Sequence, residues 1–98
     1  MIIKLAGEEI TMTASFDRIR KVEAEAGSLF SFAYKLRDGK VSYTDIVNIY
    51  YHFQDGTSYS QALISDKIQA DGFTNHLTQV VEMIGVILAG NGDKSEKK

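Results

Sequence analysis

The residues able to do chemistry are few, and their spacing leads away from catalysis. The two histidines, His52 and His76, have no second ligand at helical spacing, and no HExxH or CxxC pattern occurs. His52 falls on the polar back of its helix and reads as a solvated side chain. There is no cysteine, so disulfides and thiolate metal sites are excluded. GxSxG, GxGxxG and phosphate-cradling glycine loops are missing, and Gly90-Asn91-Gly92 precedes no helix. Asp17, Glu23 and Glu25 lie close in sequence, but only Glu23 turns toward the apolar side. Paired-carboxylate catalysis needs two acids facing across a cleft with their pKa values driven apart, and nothing in this spacing supplies it. No catalytic, metal-binding or cofactor-binding residue is assigned.

Glu23 has a structural reading instead. On a helical wheel it sits between Phe16 and Ile19, where a carboxylate needs a partner. Backbone N–H groups opening the next helix, near Leu29 or Phe30, would supply one and make Glu23 an anchor between two helices.

The elements that would position these residues follow from periodicity and punctuation. Ile2–Leu5 and Glu9–Thr13 alternate with period two around Ala6-Gly7-Glu8, which reads as an N-terminal β-hairpin over about 2–13. Proline is missing, and Gly27, Gly39, Gly56, Gly72 and Gly90 recur at intervals of one short helix plus its loop. Ser15 caps a helix from Phe16 to about Ala26, with Phe16, Ile19, Val22 and Ala26 on one face. Ser28 caps Leu29 to about Arg37, with Leu29, Phe32, Ala33 and Leu36 inward. Ser42 and Asp45 make a capping-box variant for Tyr43 to about Gln54, whose apolar arc of roughly 200° marks a central helix or one buried on two sides. Residues 57–72 predict a broken helix, or a loop and then a short helix from Asp66 to Asp71.

The last helix is the clearest. Leu77, Val80, Val81, Ile84, Ile87 and Leu88 keep a helical period, with Thr74 or Asn75 as cap and Gly90 as stop. Gly85 lies inside it, which suggests close approach of another helix. The fold class is therefore mainly α: the hairpin followed by four to five short helices in a small bundle, one domain over 1–90, and a disordered polar tail over 91–98.

Composition suits one globular domain: 98 residues, 44% hydrophobic and 24% charged. No apolar run approaches the ~20 residues of a membrane span, and the first residues lack a signal-peptide pattern, so a cytoplasmic location is expected. Charge is uneven. Residues 16–40 hold six Lys/Arg and four Asp/Glu, net +2, whereas 41–93 hold one Lys and six Asp/Glu, net −5. That dipole suits head-to-tail association or a protein partner. A small helical DNA-binding or regulatory protein is the alternative. Against it, Arg18, Arg20 and Lys21 are diluted by Asp17, Glu23 and Glu25, and the later helices are acidic.

The order of motifs resembles a known family. Gly7, Thr11–Phe16, Val22-Glu23 with Gly27, Leu29-Phe30 and Arg37-Asp38-Gly39 occupy its hairpin turn, its threonine-containing lead and its first two glycine-ended helices. Tyr43–Tyr50, Gly56, Ser65–Ile68, Gly72 and the final apolar helix continue in order. Over about residues 5–90 the chain resembles the small tail proteins of gene transfer agents and siphophages, grouped with phage tail assembly chaperones and also described as tail tube proteins. The ordering carries the resemblance; no single motif is specific. The tyrosine-rich third helix and the polar stretch 57–61 depart from it.

What the resemblance implies is a non-enzymatic chaperone that binds tape measure protein, tail tube protein or both during tail morphogenesis, with self-association along the coat. A structural tail tube component is the further alternative. Phe30, Tyr34, Ile49, Tyr51 and Val86 fall outside the simplest core faces. A groove for a client helix would accordingly be sought at Phe30, Tyr34, Ile49, Tyr50 and Tyr51.

Overall fold

A computed structural model describes residues 1–90. The elements are β1 (Ile2–Leu5), β2 (Glu8–Met12), α1 (Phe16–Ala26), α2 (Leu29–Arg37), α3 (Tyr43–Phe53), β3 (Gln54–Asp55), α4 (Gln61–Asp71) and α5 (Phe73–Ala89). The chain is thus mainly helical behind an N-terminal hairpin, as its periodicity predicts. The tail expected over 91–98 lies outside the described residues. No helix among the described residues is long and apolar enough to cross a membrane.

The hairpin turns through Ala6 and Gly7, at φ 52° and 82°. Two successive positive φ values fit a tight two-residue turn with the twist of its strands. Ile3, Leu5, Ile10 and Met12 face the core, and Ile3 pairs with Ile10 across the ladder. A lone hairpin is marginal in water, and this one is held on both edges. On the β1 edge the Gln79 side-chain amide acts as a third strand: it accepts from Lys4 N–H at 2.7 Å and donates to Lys4 C=O at 3.0 Å.

On the other edge runs β3, unforeseen from sequence because two residues show no period. Its Asp55 and Gln54 pair with Thr11 and Met12. Arg18 fixes it, donating to the carbonyls of Phe53 (3.2 Å) and Gln54 (3.1 Å). Helix α3 therefore ends at Phe53 and passes directly into the sheet.

The helix caps are mostly those the sequence marks. Ser15, Ser28 and Ser42 accept from the N–H groups of Arg18, Ser31 and Asp45, the last within a capping box. Gly27, Gly39, Gly56, Gly72 and Gly90 all carry positive φ. Ile46, Val47, Ile49, Tyr50 and Phe53 of α3 are buried, because α1 packs on one side of this helix and α4 and α5 on others. Val22, Ala26, Leu29, Phe32, Ile64, Ile68, Val80, Met83 and Ile84 complete the core.

Four expectations change. Phe16 is 77% exposed rather than inward: it opens α1, beyond the core's edge, and Arg20 lies over its ring. Helix α4 is continuous from Gln61, capped by Ser60, not a short helix from Asp66. The Gln54 side chain sets that start by tying down the loop, donating to Tyr59 C=O and accepting from Tyr59 N–H and Thr57. Helix α5 starts at Phe73 after Gly72 with no side-chain cap, and Asn75 bonds back to Asp71 C=O instead of capping it. Gly85 meets no close neighbour: a Cβ built there has nothing within 4 Å.

Candidate functional site

The residues singled out from sequence separate into three places. Phe30 (68% exposed) and Tyr34 (60% exposed) stand on the outer face of α2. Ile49 and Tyr50 are fully buried and cannot touch a partner, which corrects their assignment to a groove. The wide arc of α3 is consumed by neighbours on several sides and is not a surplus. Tyr51 is exposed, but at a polar cleft of about 460 Å³ beside α1, lined also by Asp17, Arg18, Lys21, His52 and Tyr59. The ionic groups there are engaged. Lys21 lies 3.4 Å from Asp17 and His52 Nε2 lies 3.0 Å from Glu25, while Arg18 holds β3. His52 is accordingly not a free solvated side chain.

Glu23 does what its position predicts. Its Oε2 accepts from Leu29 N–H at 2.9 Å and joins α1 to α2.

Sequence reasoning missed a buried polar relay. His76 is 2% exposed. Its Nδ1 is 2.8 Å from the Tyr50 hydroxyl and its Nε2 is 2.7 Å from Asp71 Oδ2. Gln79 donates to the Tyr50 hydroxyl at 2.9 Å, and Asp71 accepts from Ala6 N–H at 2.8 Å. Burial pushes the Tyr50 hydroxyl up to about 12, against the opposing Gln79 N–H and with a small addition from Asp71. It therefore keeps its proton and donates to Nδ1, and the tautomer with the proton on Nε2 satisfies Asp71. The signal was legible: on the α5 wheel His76 falls between Met83 and Val80, the buried arc. The relay joins β1, the hairpin turn, α3, α4 and α5, and every named member is paired, so its role is structural.

The relay gives a pH dependence. The Ala6 N–H first, and His76 second, hold the Asp71 carboxyl below the usual aspartate range. A depressed folded-state pKa stabilises fully above the unfolded-state value, and that stabilisation is lost as pH falls through the aspartate range toward the lower folded value. Urea midpoints measured against pH should fall more steeply in acid for the native chain than for Asp71→Asn. Parallel curves would show that Asp71 contributes nothing through its charge.

The surface left over is a groove between α2 and α5. It has a volume of about 380 Å³ and is lined by Ala33, Leu36 and Arg37 from α2 and by Val81, Ile84, Gly85 and Leu88 from α5. Helix α5 explains it. Its largely apolar arc, broken by His76 and Thr74, spans about 200° from Met83 round to Gly85, and only the half holding Met83, Val80 and Ile84 is buried. Val81 and Leu88 are exposed. On the α2 side, Phe30 and Tyr34 follow Ala33 and Arg37 around the helix, beyond the groove's own lining, with the Arg37 guanidinium 4.8 Å from the Tyr34 ring centroid. Gly85 and Ala33 add little side-chain volume to the trough and leave it open to the approach of another backbone.

The open space over Gly85 makes a direct prediction. Gly85→Ala should stabilise the chain by about 0.5–1 kcal/mol, since it removes an interior helical glycine and clashes with nothing. A lower melting temperature for this variant would mean that Gly85 is packed, not open.

Among the described residues no group of three or more His, Cys, Asp or Glu is placed to hold a metal ion. Comparison with protein-family models, with curated proteins and with solved structures finds no match for this chain.

Proposed function

We propose that this chain is a non-enzymatic assembly chaperone of a phage, prophage or gene transfer agent tail. It holds an amphipathic helical stretch of the tape measure protein, the tail tube protein or both in the bacterial cytoplasm before polymerisation. The observation that carries the reading is the α2–α5 groove, mostly apolar apart from Arg37, with small residues at Gly85 and Ala33. A groove of this kind takes an amphipathic helix through anchors at i, i+3, i+4 and i+7. Exposed apolar residues gathered at one groove, as Val81 and Leu88 are here, support a partner surface. The tail assignment itself rests on the resemblance in motif order. Two short strands and a two-residue third supply little sheet for building a tube wall, which favours a chaperone over a tube subunit.

Co-purification with the tape measure and tube proteins encoded beside this gene tests the reading. Retention of either supports it, and retention of neither removes it.

A further inference from the structure

The relay around His76 runs in one direction only, and both of its ends lie on the hairpin. In the β1–β2 ladder Met12 N–H donates to Met1 C=O at 2.7 Å and the Met1 amine donates to Met12 C=O at 3.1 Å. Bonded pairs alternate along an antiparallel ladder, so with Ile3 opposite Ile10 the N–H and C=O of Lys4 point away from β2, toward α5. The Gln79 amide meets both of them.

A backbone N–H can only donate, so Gln79 must present Oε1 to Lys4 N–H and Nε2 to Lys4 C=O. Nε2 is then also the atom that faces the Tyr50 hydroxyl at 2.9 Å. That hydroxyl sends its own proton to His76 Nδ1, and the single ring proton sits on Nε2, against Asp71. Asp71 closes the circuit by accepting from Ala6 N–H. Each bond fixes the sense of the next, and all of them are met only while Nδ1 is bare.

A charged His76 carries a proton on both ring nitrogens. Nε2–H keeps its 2.7 Å bond to Asp71, now charge-assisted. The conflict arises on the other side, where Nδ1–H points at the Tyr50 oxygen and the phenolic proton loses its acceptor. Among the described residues this hydroxyl bonds only to His76 and Gln79. The repair is to turn the Gln79 amide over, which brings Oε1 to Tyr50 and toward Nδ1, a place Nε2 otherwise holds at 3.2 Å. The turned amide then sets N–H against Lys4 N–H and C=O against Lys4 C=O, and like groups at such distances must part. The charged groups around the ring are few. Asp71 faces it from α4, with Lys67 of the same helix acting on that carboxylate and held in turn by Glu8 of β2. Lys4 of β1 lines the same cavity of about 270 Å³, and α3 presents the Tyr50 phenol.

We propose that His76 is an acid-operated latch on the hairpin. Neutral, it holds Gln79 in the orientation that clamps the β1 edge to α5; protonated, it turns the amide and releases Lys4. The opening is local, because the pairing of β1 with β2 and the burial of Ile3 and Leu5 do not pass through Gln79. What it exposes is a short unpaired strand edge. The inference rests on the relay alone and is independent of any tail protein.

NMR of the full chain against pH tests it. As the His76 ring signals titrate, the Lys4 amide proton should move with the same midpoint. Its protection from exchange, corrected for the intrinsic rate at each pH, should fall roughly tenfold or more. The Ile3 and Ile10 amides, inside the ladder, should keep theirs. His76→Gln should hold Lys4 protection level over the same range. Gln79→Met removes the clamp from a half-buried position, and there Lys4 should be unprotected at every pH. Three results would each overturn the proposal. One is a Lys4 amide that stays fixed while His76 titrates. Another is a ring that gains its proton only as the core amides of α3 are lost, which is unfolding of the whole chain. The third is acid release of Lys4 that persists in His76→Gln, which would place the switch in Asp71.

Discussion

Tyr50→Ala should lower the free energy of unfolding by about 4 kcal/mol, and Tyr50→Phe by about 2 kcal/mol. The phenol is fully buried, so truncation empties a ring-sized volume in the middle of α3. The phenylalanine variant keeps that volume but removes the hydroxyl that links His76 Nδ1 to Gln79. The buried His76 Nδ1 is then left with only the Gln79 amide at 3.2 Å, itself shared with the Lys4 carbonyl, and a buried acceptor that loses its better donor costs more than the bond itself contributed. A small domain has only about 5–15 kcal/mol in hand, so the alanine variant should be unfolded in a substantial fraction at modest temperature. Urea denaturation with an unchanged slope is the measurement. Were Tyr50→Ala to melt like the native chain and lose only partner binding, Tyr50 would belong to a docking surface and the core described for α3 would be wrong. Because Tyr50 and His76 touch, their substitutions should not add. A double-mutant cycle should show coupling of about 1 kcal/mol or more.

The second large effect concerns binding and runs opposite to stability. Gly85→Leu places an isobutyl group in the trough, at a position where the Cβ itself would have nothing within 4 Å. The helix gains propensity, so the melting temperature should hold or rise. Client binding should fall roughly a hundredfold, because the added side chain fills groove volume that a client's anchor residue would occupy. Tyr34→Ala should weaken binding less and leave stability unchanged, since the ring is exposed and only flanks the groove. This separation distinguishes a groove that works from one that is merely a gap between helices.

How far the sequence could be read depended on how local each signal is. Caps are local: a serine ahead of an apolar period named the starts of α1, α2 and α3, and the wheel position of Glu23 pointed it at the N–H groups near Leu29 or Phe30, of which Leu29 is the one bonded. Helix α4 has no such contrast. Its outward Ala62, Leu63 and Ala70 blur the pattern that Ile64 and Ile68 would otherwise draw, so its first turn read as loop. The start of α5 was missed because Gly72 ends one helix and opens the next, leaving Thr74 and Asn75 already inside.

Functional residues divided along the same line. The exposure of Phe30 and Tyr34 follows from α2 alone. Ile49 and Tyr50 needed knowledge of what packs on each side of α3, which no single-helix wheel contains. The relay through His76 joins residues far apart in the chain, and only the histidine's place on the buried arc of α5 hinted at it. The close approach of another helix expected at Gly85 is not found: a Cβ built there meets nothing within 4 Å, and the residue lines the open groove.

The central claim is that the α2–α5 groove holds a helix of a tail protein. Its most direct test is a binding titration of the full chain, native and Gly85→Leu, against the tape measure and tube proteins encoded beside it, with melting temperatures recorded for both forms. The account predicts that the native chain binds at least one of them, and that Gly85→Leu is as stable or more stable yet binds roughly a hundredfold more weakly. Equal binding by the two forms, or no binding of either protein by the native chain, would contradict it.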